Sequence, residues 1–165
     1  MNYIDLFFSY RKIIFQVLFY EIFFSLKYRE FKPRIKIQNN NFITDTIPCI
    51  YYFLFNISKF IKKNNIQSVV DLGSGFGRII NFINNENKIK SIGIEIDKDV
   101  YRQSIQLKSE KVKIYNNDIL KIDLSKFKSE CFILNDPLKK EKNKKKLRNK
   151  IKKLKKKNNK IYVIT

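Results

Sequence analysis

The run VVDLGSGFGRII, Val69 to Ile80, carries three of the chain's four glycines, at Gly73, Gly75 and Gly77. They fall where an apolar strand gives way to a helical pattern. Glycine tolerates positive φ and lets a ligand approach the backbone with no Cβ in the way. The first backbone N–H groups of the following helix lack internal partners and favour a polar or anionic ligand. The stretch predicts a cofactor loop of the nucleotide-binding kind at the end of a strand.

Its spacing decides between loop types. A dinucleotide loop reads G-x-G-x-x-G; here the third glycine position is Arg78, and Gly77 comes one residue early. A phosphate loop needs G-x-x-x-x-G-K-[ST], and no Lys-Ser or Lys-Thr pair follows. What remains is acid-x-G-x-G-x-G, with Asp71 as the acid. The next apolar strand, in KSIGIEI (Lys90 to Ile96), ends at Glu95, 22 residues after Gly73. That is close to the roughly 20-residue step at which a carboxylate meets ribose hydroxyls. A third strand-like run, Val112 to Tyr115, leads into Asn116-Asn117-Asp118-Ile119. Taken alone, Asp118 also suits a turn cap, and both readings stay open here.

Outward from this stretch the pattern predicts alternating helices and strands. Asp45 or Thr46 is expected to cap a helix from near Pro48 to about Lys63. Strands are expected at Ser68–Leu72, Ser91–Glu95, Val112–Tyr115, Cys131–Leu134 and Ile161–Ile164. Helices are expected around Asn81–Asn85, from an Asp97 cap to about Ser109, and from about Lys139 onward. Such alternation implies β-α-β units and a mostly parallel sheet between helical layers, with ligands beyond the carboxyl ends of the strands.

These motifs resemble the class I S-adenosylmethionine (SAM)-dependent methyltransferases, in which an acidic residue ends the first strand before a glycine-rich loop. The resemblance implies a Rossmann-like three-layer sandwich and SAM as cofactor. It places the cofactor on Asp71, Gly73, Ser74, Gly75 and Gly77, with Glu95 at the ribose. Asp118 would lie beside the adenine amino group, and Ile96 or Ile119 against the ring. At the end of the fourth strand, FILNDPL (Phe132 to Leu138) resembles the [ND]-P-P-[YF] group of enzymes that methylate planar nitrogens. Asp136 replaces its first proline and Leu138 its aromatic residue. A closer likeness, over Phe42 to Thr165, is to small bacterial relatives of the ATP-synthase c-subunit lysine methyltransferases. By this resemblance Asn135 and Asp136 are the catalytic candidates, orienting a nitrogen acceptor. Asn-Asp-Pro is also a favoured turn, so that alternative stays open.

Composition narrows the chemistry. The 165 residues suit one domain able to bury a core. There is no histidine, which removes histidine bases, triads and histidine-ligated metals; no metal is expected. Cys49 and Cys131 sit in apolar runs without metal-ligand spacing and are expected as small hydrophobes in a reducing, cytoplasmic setting. Methyl transfer is compatible with both facts, because the cofactor carries the reactive group.

Lys and Arg number 35 against 15 acids, a net charge of +20. Residues 139–157 hold 13 basic residues and one acid. Such a stripe suits RNA, a ribosome or an anionic membrane, or a plainly solvated helix face. Leu147, Ile151 and Leu154, at i, i+4 and i+7, form a seam able to dock on a sheet. Two functions follow. One is methyl transfer to a nucleophile, a nitrogen on a protein or other macromolecule, with protein the first choice of partner. The other is a noncatalytic degenerate fold that binds RNA, ribosome or membrane through its basic helix.

Residues 1–41 differ in character and are expected as an aromatic helix and a polar connector preceding a domain over 42–165. Tyr, Phe, Ile and Leu crowd the first 28 residues, interrupted by Asp5, Arg11, Lys12, Glu21 and Lys27. No uncharged stretch reaches the 18 or so residues of a membrane span, and the pattern of a signal peptide is missing. The aromatic face is expected to pack on the domain or a partner, with peripheral membrane contact the lesser expectation. Methyltransferases of this class commonly continue past the fifth strand with an antiparallel hairpin. This sequence ends at Thr165, so that strand is expected as an edge in a C-terminally short sheet.

Overall fold

A computed structural model describes the chain except residues 1, 2, 31–33, 40, 106–109, 158 and 159, with side chains described from residue 11 onward. The elements are α1 (Tyr3–Tyr28), α2 (Tyr51–Lys63), β1 (Ser68–Leu72), α3 (Arg78–Asn87), β2 (Lys90–Glu95), α4 (Lys98–Ser104), β3 (Val112–Asn116), β4 (Cys131–Ile133), α5 (Glu141–Lys157) and β5 (Tyr162–Ile164). A short 3₁₀ turn, Leu124–Phe127, lies between β3 and β4. All strand pairings are parallel, in the order β3-β2-β1-β4-β5. The chain builds outward from β1 to β3, then crosses back to β4 and β5. That reversal opens a crevice at the carboxyl ends of β1 and β4.

Alternate residues of the central strands feed two cores, as the two-residue period requires. Val70, Leu72, Ile92, Ile94 and Phe132 pack with Leu147 and Ile151 of α5, and Leu154 joins the edge of that cluster. Val69, Cys131 and Ile133 face the other way, onto Leu54 and Ile61 of α2, Ile79, Phe82 and Ile83 of α3, and Phe24 of α1. Burial on both faces explains why β4 reads as a continuous apolar run, and β1 as one broken only by Asp71 after Ser68. The seam expected on the lysine-rich helix is therefore present. β5 pairs only with β4 among the described residues.

Gly93 shows how closely the layers approach beneath the loop. A Cβ there would stand 2.6 Å from Ser74 Oγ and 2.9 Å from Ile80 Cδ1. β2 can pass under the β1–α3 loop only with a bare backbone at that position.

The start of α2 departs from expectation. Ile50 occupies its N-cap position without a side-chain cap, and the Tyr51 N–H donates instead to the Glu21 carboxylate of α1. Asp45 and Thr46 are committed elsewhere. Asp45 Oδ1 accepts the Gln38 N–H at 2.8 Å, and Thr46 exchanges backbone bonds of 2.9 and 3.1 Å with Lys36. An antiparallel bridge between Lys36 and Thr46 draws this segment into a wall beside the sheet. α3 is longer than expected, starting at Arg78 directly after the glycine loop. The Asp97 cap is present, its carboxylate accepting from the N–H groups of Asp99 and Val100, but α4 ends at Ser104 with Ile105 as C-cap, short of the expected end near Ser109, which lies outside the described residues.

Candidate cofactor and acceptor site

The β1–α3 turn is pinned from below by β2. The N–H groups of Gly73 and Ser74 both donate to the Ile94 carbonyl, at 2.9 and 3.0 Å, and Gly77 N–H to the Ser74 carbonyl at 2.8 Å. Gly73 has φ +90°, and a Cβ on it would stand 2.5 Å from Pro137 Cβ. Glycine is needed twice over: for the left-handed backbone and for the contact with the loop after β4. That contact brings the two halves of the site together.

Glu95 closes the loop from the side. Its Oε2 accepts the Gly75 N–H and its Oε1 the Asp97 N–H, both at 2.8 Å. Burial raises its pKa, and the backbone donors partly offset that rise. Each oxygen keeps a lone pair for a further donor. Asp118 is a turn former as well as a wall residue, its Oδ1 accepting the Leu120 N–H at 2.8 Å. Lys150 of α5 steadies the same turn by donating to the carbonyls of Ile119, Leu120 and Ile122.

A cavity of about 820 Å³ lies at this end of the sheet. Gly73, Ser74, Gly75, Glu95, Ile96, Asp118, Ile119 and Asn135 all line it. Three expected residues do not. Gly77 sits behind, at the N-terminus of α3. Asp136 turns away: its Oδ1 lies 2.7 Å from Lys144 Nζ, and its carbonyl accepts the Thr44 hydroxyl at 2.7 Å. Asp71 is wholly buried under the loop, both carboxylate oxygens without a hydrogen-bond partner. Burial, helped by the nearby Glu95 charge, pushes it up to about 8. Ser74 Oγ is likewise buried and unpartnered. Of these two residues only Ser74 belongs to the cavity lining.

Sequence reasoning missed the opposite wall, made by Tyr28, Glu30, Arg34, Thr44, Thr46 and Cys49. Its keystone is Arg78. The guanidinium stacks 3.9 Å over the Tyr51 ring and donates from Nη1 to the Cys49 carbonyl at 2.8 Å. It also faces two α1-side carboxylates, with Nη2 3.4 Å from Glu21 and Nε 3.3 Å from Glu30. In the sequence Arg78 shows only as the residue that displaces a glycine from the dinucleotide pattern; its partners Glu21 and Glu30 are 57 and 48 positions away. A second tie runs from Asp97 to Lys36 and Gln38, at 2.7 and 3.0 Å. Burial opposes the Asp97 charge, but these donors and the α4 backbone prevail and hold it down at about 2. The Cys49 thiol is raised to about 11, first by burial and then by Asp71, and so stays protonated near neutrality. Among the described residues no cluster of His, Cys, Asp or Glu could hold a metal ion.

A five-stranded parallel 3-2-1-4-5 sheet with an acid-x-G-x-G-x-G loop after its first strand and a second acid after its second defines a Rossmann-like methyltransferase fold. Residues 53–161 match the family described as methionine biosynthesis protein MetW, and the chain belongs to that family. No curated protein matches the chain. Among solved structures, an RNA methyltransferase from Salinibacter ruber in complex with S-adenosyl-L-homocysteine shares 22% identity over 53% of this chain and 60% of its own, with TM-score 0.46. The plantazolicin methyltransferase BpumL in complex with SAH shares 17% identity over 50% of this chain and 34% of its own, with TM-score 0.44. The chain thus spans less than two thirds of either structure.

Proposed function

We propose that the protein is a SAM-dependent methyltransferase acting on a nitrogen nucleophile of a macromolecule. The carrying observation is that the glycine loop, Glu95, Ile96, Asp118, Ile119 and Asn135 line one cavity at the carboxyl ends of the strands. The residues suit the cofactor. Glu95 has free lone pairs for ribose hydroxyls, Ile96 and Ile119 offer apolar flanks to a planar base, and Asp118 offers an acceptor to an exocyclic amino group. When bound, SAM supplies an electrophilic methyl, so the protein's own work is positioning.

That work falls to the loop after β4. Pro137 braces it against Gly73, which sets Asn135 at the cavity wall. The Asn135 carboxamide can accept a hydrogen from the entering nitrogen and fix its lone pair toward the methyl. Asp136, held by Lys144, secures the loop and is not offered to the acceptor. An amine acceptor must arrive deprotonated, against a free pKa of about 10.4 for lysine. The half-apolar cavity assists this, because desolvation lowers an ammonium pKa.

Labelled methyl transfer from SAM to fractionated cell protein and RNA tests the reading. Label in a macromolecular fraction, strongly reduced by Asn135→Ala, supports it. A folded, cofactor-binding protein that labels neither fraction would sink it.

A further inference from the structure

The two long faces of α1 are both apolar, and the domain covers only one. On the inner face Tyr20, Phe24 and Tyr28 recur every four residues and stack on one another at 6.0 and 5.9 Å. Tyr20 lies 4.5 Å from the Phe55 ring and Phe24 4.9 Å from Phe82, so α1 docks on α2 and α3. On the outer face Phe15, Leu18, Phe19, Ile22, Phe23 and Leu26 follow the i, i+3, i+4, i+7, i+8, i+11 pattern of a docking stripe. Each is 48–72% exposed. Six large apolar side chains in one unbroken stripe mark an interaction surface rather than a chance exposure.

Charge decides the occupant. Lys12 is exposed at the start of the stripe, and at the flank of the helix Lys59 Nζ of α2 stands 4.4 Å over the Phe55 ring that packs on Tyr20 of the inner face. The described acids nearby are used internally: Glu21 on Tyr51 N–H and Arg78, Glu30 on Tyr51 and Arg78, Glu86 on Lys27 and Tyr28. The surroundings of the stripe therefore present cations, on a chain of net charge +20. A second copy would bring like charges together; an anionic bilayer surface would attract them. No helix among the described residues is long and apolar enough to cross a membrane, so insertion is in the plane of the interface.

We infer that the outer stripe of α1 seats the protein on an anionic lipid bilayer, independently of any methyl transfer. The basic face of α5 lies on the opposite side of the sheet and exposes lysines without an apolar stripe, so it cannot substitute for this insertion.

Flotation of the full chain with phosphatidylcholine vesicles, with and without phosphatidylglycerol, tests this. The protein should float with the mixed vesicles only. Phe15→Gln/Leu18→Gln/Ile22→Gln should reduce the floating fraction by an order of magnitude, and Lys152→Gln/Lys153→Gln/Lys156→Gln should leave most of it. These outer residues are solvent-facing, so circular dichroism should be unchanged; should the triple variant misfold, Ile22→Gln/Leu26→Gln replaces it. Three results would overturn the inference: undiminished flotation of the folded stripe variant, equal flotation with both vesicle types, or a wild-type dimer that the stripe variant dissolves.

Discussion

At the scale of single residues, the site keeps a carboxyl where water cannot reach it. Asp71 is held at about 8 in the fold and returns to about 3.9 when the chain unfolds. Between those values the native state binds more protons than the unfolded state, so stability falls as pH rises. Thermal melts of the ligand-free protein from about pH 5 to about pH 8 should show a declining Tm, and Asp71→Asn should flatten that slope. Asp97 acts in the opposite sense: with a folded value of about 2, its stabilisation is present above about pH 4 and lost as pH falls through about 2. Gly73→Ala meets both a left-handed φ and Pro137 Cβ at 2.5 Å. It should cost about 1–3 kcal/mol of backbone strain, seen as a Tm drop of roughly 2–4 °C per kcal/mol, and should impair cofactor binding because the β4 loop must shift.

At the scale of elements, strands and loops were legible because their determinants are local. Val69, Val70 and Leu72, Ile92 and Ile94, and Cys131 to Ile133 form short apolar strand cores, the glycines punctuate one turn, and Leu147, Ile151 and Leu154 spell out the docking seam of α5. Leu147→Ala should cost about 2–5 kcal/mol, measured by denaturant unfolding, whereas exposed lysines of the same helix can be changed with little effect. The α1-side wall was not legible, since its logic is long-range. Glu21 caps a helix 30 residues on, and Arg78 gathers Glu21, Glu30, Tyr51 and Cys49. Asp45 and Thr46 have the chemistry of caps, yet the Gln38 N–H takes the Asp45 carboxylate and the bridge to Lys36 takes the Thr46 backbone. Asp136 reads as a candidate ligand from its motif; only the position of Lys144 on α5 shows where its charge goes. Arg78→Ala should strand two partly buried carboxylates and loosen α1. Trypsin cleavage between Arg29 and Lys36 should then quicken about tenfold, a change of about 1.4 kcal/mol in opening free energy.

At the scale of the whole molecule, one end of the sheet carries the cavity and its two faces carry opposite surfaces. The MetW match over residues 53–161 takes in β1 to β4 and the glycine loop, while α1, Arg34 and residues 42–49 precede it and complete the cavity. Calorimetric titration with SAM and S-adenosylhomocysteine, alongside Glu95→Ala checked for fold by circular dichroism, tests the central claim most directly. Micromolar binding by the wild type, weakened at least tenfold in the variant, is the predicted result. A folded wild-type protein that binds neither compound, or a Glu95→Ala variant that binds both as tightly, would contradict it.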